Sequence, residues 1–94
     1  MTIRITHVRL SGGTGHEHIT TLWWTDPADN KNGDSSKATV VGWIDDKGGT
    51  AYVQQPGTAR ADVGTVDPGN GRAKYLRTYA DGAWNNNLLS LPRR

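Results

Sequence analysis

Turn signals recur so closely along this chain that the segments between them are long enough only for short strands or one short helix. Ser11-Gly12-Gly13-Thr14-Gly15, Asn32-Gly33, Gly48-Gly49, Pro56-Gly57, Asp67-Pro68-Gly69-Asn70-Gly71 and Asp81-Gly82 each interrupt the apolar pattern. From Gly49-Thr50 to Gly57-Thr58 to Gly64-Thr65 the spacing is eight and then seven residues, which suits a meander of hairpins. With 94 residues in all, one small domain spanning residues 1–94 is expected. A multidomain enzyme and a large barrel are excluded.

The apolar content is 34%, Phe is absent, and there are four Trp. Trp23, Trp24, Trp43 and Trp84 are therefore expected to supply much of the core, or in part to face a partner. No Cys is present, so disulfides, thiol chemistry and cysteine-bound metals are excluded. That absence in so small a chain favours the cytoplasm. No apolar run resembles a signal peptide or a membrane span. The net charge is +2, and Arg93-Arg94 at the tail account for all of it. No basic stripe stands out in sequence order.

Ile3 to Leu10 reads as a strand whose apolar phase changes near His7, the mark of a bulge or of cover on both sides. His18 to Thr25 reads as a second strand, rich in β-branched and aromatic residues. Asp26 to Asp34 reads as a polar loop. Ser36 to Lys47 supports two readings. Ala38, Val41 and Ile44 share a helical face, with Asp34, Ser35 or Ser36 as N-cap and Gly48 past the end. Thr39, Val40 and Val41 are β-branched and favour a strand. Thr50–Gln55, a strand holding Ala61 and Val63, and Lys74–Ala80 follow, and Leu88–Leu91 closes the chain. The expectation is an α+β fold, a small, mostly antiparallel sheet packed on one helix in the order β-β-α-β-β-β.

The segments Tyr75-Leu76-Arg77-Thr78, Ala80-Asp81-Gly82 and Asn87-Leu88-Leu89-Ser90-Leu91-Pro92 resemble a family of small bacterial proteins classed as a domain of unknown function. The resemblance implies a stand-alone domain of bacterial or phage origin. It implies no activity and no catalytic residue.

No catalytic triad, acid–base pair or cofactor motif emerges. The Ser11–Gly15 loop lacks the Lys-Ser/Thr pair of a phosphate loop, yet Gly12 and Gly13 can offer a nest of backbone N–H groups to an anion, the alternative being a plain tight turn. His16 and His18, two apart on a strand, would share a face, and His7 would be the third group for a metal; the alternative is ordinary packed and surface histidines. The Asp26–Asp34 loop fails the EF-hand pattern at Ala28 and Thr39. Tyr75, Arg77 and Tyr79 share one strand face, and Arg9 or Arg4 is a candidate neighbour. Arginine flanked by aromatics can hold a phosphate or carboxylate or stack on a base; the alternative is a surface stripe with Arg77 paired to Asp62 or Asp81. Trp23 and Trp24 must point to opposite faces, so one of them is a candidate contact for a protein partner or a second copy of the chain. The expected function is a binding module acting through an aromatic and arginine surface of the sheet. The alternative is a nucleic-acid or nucleotide binder.

Overall fold

The computed structural model describes residues 2–54, 60–80, 83–85 and 87–94. The side chains of residues 80 and 83–85 lie outside that description. The strands are β1 Thr2–Leu10, β2 Ile19–Asp26, β3 Lys31–Ser36, β4 Thr50–Val53, β5 Ala61–Val66, β6 Tyr75–Ala80 and β7 Ala83–Asn85, with helix α1 at Lys37–Lys47. They form one seven-stranded sheet in the order β3-β2-β1-β4-β5-β6-β7. Two antiparallel meanders, β1 to β3 and β4 to β7, are joined by α1. They meet where β4 pairs with β1 in parallel.

The α+β class holds, but the expected β-β-α-β-β-β order is incomplete. The sheet is mixed, and β3 and β7 are additional strands. The presumed loop Asp26–Asp34 is instead a hairpin: a turn over residues 27–30, then β3. Asp26 Oδ1 accepts the Ala28 N–H at 3.0 Å, and Asn30 takes φ 54°, which closes the turn. The strand carries no apolar alternation because it is an edge. Its inner positions are Gly33 and Ser35, and both lie against Trp24.

Ser36–Lys47 resolves as the helix. Ser36 is the N-cap and accepts the Thr39 N–H at 3.2 Å; Gly48 at φ 66° ends it. Those caps outweigh the β-branched run because Val40 is buried against the sheet and Val41 packs beside it. The phase change in β1 is a bulge. Ile5 pairs with Trp24 and His7 with Trp23, leaving Thr6 as the extra residue. Ile3, Ile5 and Val8 therefore all face the core.

That core is aliphatic: Ile3, Ile5, Val8, Ile19, Leu22, Val40, Val53, Val63, Leu76, Leu88 and Leu91 with small alanines. Trp24 and Trp43 pack at its margin. Among the described residues tryptophan is thus not its main filling, which corrects the expectation that the tryptophans supply much of the core. The Trp84 side chain and the turns at Pro56-Gly57-Thr58 and Asp81-Gly82 lie outside the described residues.

β4 pairs with β1 only over Thr2–Arg4. Further along, the tail takes its place. The Val8 N–H donates to the Pro92 carbonyl at 3.1 Å, and the Arg94 N–H donates to the Val8 carbonyl at 3.2 Å. Leu88 and Leu91 anchor this segment, and the Leu88 N–H donates to buried Thr78 Oγ1 at 3.2 Å. Among the described residues, no helix is long and apolar enough to cross a membrane.

Candidate functional site: the helix-free face of the sheet

α1 lies on the side of the sheet that holds the core. Asp45 ties its C-terminal half down, accepting from Thr65 Oγ1 at 2.7 Å and Lys74 Nζ at 3.0 Å. These two hydrogen bonds hold the Asp45 carboxyl below its ordinary value, and Asp45 in turn raises Lys74.

Pairing register assigns the opposite side to Trp23, His7, Arg9, Arg4, Tyr52, Asp62, Tyr79, Arg77 and Tyr75. The cations there are arginines. The lysines sit elsewhere: Lys37 and Lys47 on α1, Lys74 bridged to α1, and Lys31 beside Asp26. Guanidinium is planar, stacks on aromatic rings and keeps its edge N–H groups for bidentate bonds, which an ammonium cannot do.

Among the described residues, two arginine-on-aromatic stacks occupy this face. In the first, Arg9 and Arg94 stand 5.1 and 5.4 Å from the centroid of the Trp23 ring. Arg9 Nε donates to the backbone oxygen of Arg94 at 2.9 Å, and the tail's pairing with β1 brings Arg94 there. Among the described residues no Asp or Glu side chain pairs with either guanidinium. In the second, Arg60 lies 4.1 Å from the Tyr52 ring and 3.5 Å from Asp62. Arg4 neighbours Tyr52 across the parallel pair and donates to the Gln54 carbonyl at 2.8 Å. Along one row, Arg4, Tyr52, Asp62 and Tyr79 are cross-strand neighbours, and Tyr79 is exposed.

The sequence-stated candidates divide. Arg9 joins Trp23, and Tyr79 joins the second row. Tyr75 instead meets the buried His16 ring at 6.4 Å, and Arg77 acts on that same imidazole. Asp62 pairs with Arg60, and Asp81 lies outside the described residues. Trp24 is the inward indole and donates Nε1–H to Ser35 Oγ at 3.2 Å; Trp23 is the outward one. Gly12 and Gly13 belong to a loop folded around His18. The Gly15 N–H donates to His18 Nδ1 at 3.3 Å, and the His18 ring fills the space beside Gly13.

The histidines do not assemble as a strand pair would. His16–His18 is a 3-10 turn, so His16 turns inward while His18 folds back over the glycines. Among the described residues no group of three His, Cys, Asp or Glu is placed to hold a metal ion. A separate cleft of about 430 Å³ opens between α1 and the sheet, walled by Trp24, Trp43 and Ile3.

Arg94, Arg60 and Tyr52 were missed from sequence. Their partners come from other strands and from the tail's register, which no local pattern carries.

Fold and face together define a small mixed-sheet domain with one helix and an arginine-bearing open side. The chain belongs to a family described as a protein of unknown function, DUF3892, whose model matches residues 4–92. No curated protein and no solved structure matches the chain.

Proposed function

We propose that this chain is a binding module that takes an anionic ligand on the helix-free face of its sheet, centred on Arg9, Trp23 and Arg94. The convergence of two guanidinium groups on one indole, with no acidic side chain among the described residues paired to either, carries the reading. Like charges held together are relieved by an anion between them. The indole fixes each guanidinium by cation–π attraction while leaving edge donors available. A bound phosphate or carboxylate replaces water on those donors with charge-assisted hydrogen bonds.

The test is titration with inorganic tripolyphosphate at low salt, followed by tryptophan fluorescence and calorimetry. Saturable binding that weakens with added salt is expected, with loss in Arg9→Ala and Arg94→Ala. Both side chains are exposed, so both variants keep the fold. No binding by the parent chain, or equal binding by both variants, overturns the proposal.

A further inference from the structure

We infer that the anion taken on this face is the backbone of a single-stranded nucleic acid, with bases stacking on the row that includes Tyr79; this rests on the anion-binding reading above. A simple anion needs only the Arg9–Trp23–Arg94 cluster. The face carries more than that. Beyond the cluster, Arg4, Tyr52 with Arg60 above it, Asp62 and exposed Tyr79 continue across β1, β4, β5 and β6 as direct cross-strand neighbours. Neighbouring strands lie about 4.8 Å apart, so the row sets planar groups and guanidiniums at short, regular intervals.

A ligand that matches this row must itself repeat a negative charge and a flat apolar ring. Single-stranded nucleic acid does so. Its phosphates suit the arginine edges and its bases suit the exposed Tyr79 ring. An acidic peptide supplies the charge but no flat ring at each repeat. A duplex keeps its bases stacked inside and offers only phosphates, so it leaves Tyr79 unused. The use of arginine rather than lysine points the same way, because guanidinium stacks on bases as well as binding phosphate. Asp62, held by Arg60 at 3.5 Å, places a hydrogen-bond acceptor within the row, and base amino groups are donors that fit it.

The experiment compares four probes on the full chain by fluorescence anisotropy and competition. They are a mixed-sequence single strand of about ten nucleotides as DNA, the same as RNA, the matching DNA duplex, and tripolyphosphate; ten suits the roughly 4–16 nucleotides that one small β domain covers. A single strand is expected to bind more tightly than the duplex. Its affinity should fall linearly with salt on a log–log plot, at about 0.7 per phosphate neutralised. Tyr79→Ala should weaken the single strand by roughly five- to tenfold or more and leave tripolyphosphate unchanged.

Tripolyphosphate bound as tightly as either single strand, with Tyr79→Ala silent on all probes, sinks this inference and leaves the anion site standing. A duplex that binds more tightly than the single strands sinks it too. Failure of every probe, tripolyphosphate included, removes both readings together.

Discussion

The ring of Trp24 lies against Gly33 so closely that a Cβ at Gly33 would stand 2.7 Å from Trp24 Cζ2. β2 and β3 pair these residues directly. The indole cannot slide away, because its Nε1–H is tied to Ser35 Oγ one inward position along. Gly33→Ala therefore forces the ring or the edge strand to shift. Overpacking of this kind costs about 1–3 kcal/mol. A loss of stability of that size, read from the denaturation midpoint at constant m, is expected, with a change in Trp24 emission. An unchanged midpoint would show that the edge strand yields freely.

Gly42 behaves in the opposite way. It lies inside α1, and a Cβ there would meet only Asp46 Oδ2, at 3.8 Å. Its φ is not in the left-handed region. Glycine in a helix interior costs about 0.8–1 kcal/mol relative to alanine. Gly42→Ala should raise stability by up to about that amount, read from chemical denaturation at constant m. A destabilised variant would mean that the cleft bordered by Gly42 must stay open for the fold.

These two glycines mark what was legible in the sequence. The helix is half-visible: Ser36 and Gly48 signal its ends while the β-branched run argues against it. Tertiary burial of Val40 decides the matter, and burial is not a local property. The bulge at His7 was visible because every inward residue after it changes phase. β3 was invisible because an edge strand that accommodates a tryptophan uses Gly33 and Ser35 in place of apolar residues. The sequence does not choose the outward indole, since parity with Ile19 puts Trp23 inside and parity with Leu22 puts Trp24 inside. The sequence marks Arg9 as a site candidate through its strand, whereas Arg94 stands there only as tail charge. Its place over Trp23 depends on the tail pairing with β1 at Val8, a contact between opposite ends of the chain.

Thr78 links the sheet to that tail. It is fully buried on β6, and its Oγ1 accepts the Leu88 N–H at 3.2 Å. Thr78→Val keeps the shape but leaves a buried backbone donor without this acceptor, a loss of about 1–3 kcal/mol. Leu88 and Leu91 hold the segment that delivers Arg94, so the variant should also weaken tripolyphosphate binding. Amide hydrogen exchange at Leu88 should speed up. Full binding together with fast exchange at Leu88 would show that Arg94 reaches Trp23 without this anchor.

His16 makes the stability of the fold depend on pH. It is 9% exposed, and its Nε2 is buried with no hydrogen-bond partner. Burial, and then the charge of Arg77, lower its pKa below the ordinary histidine value, against a smaller opposing pull from Glu17. The unfolded chain takes up this proton near pH 6.5, its usual value, while the folded chain resists until the pH is lower. Between those two points the unfolded state binds more protons, so stability rises with pH. The contribution is fully present above about pH 7.5 and is lost as the pH falls through 6.5 toward the folded value. The comparison that isolates this site is with His16→Phe. That variant keeps a ring beside Tyr75 and removes both the proton and the unpaired nitrogen. The parent should lose thermal midpoint between about pH 7.5 and pH 5.5 more steeply than His16→Phe. Parallel curves for the two proteins would show that His16 takes up its proton equally well folded and unfolded, and that the imidazole is open to water.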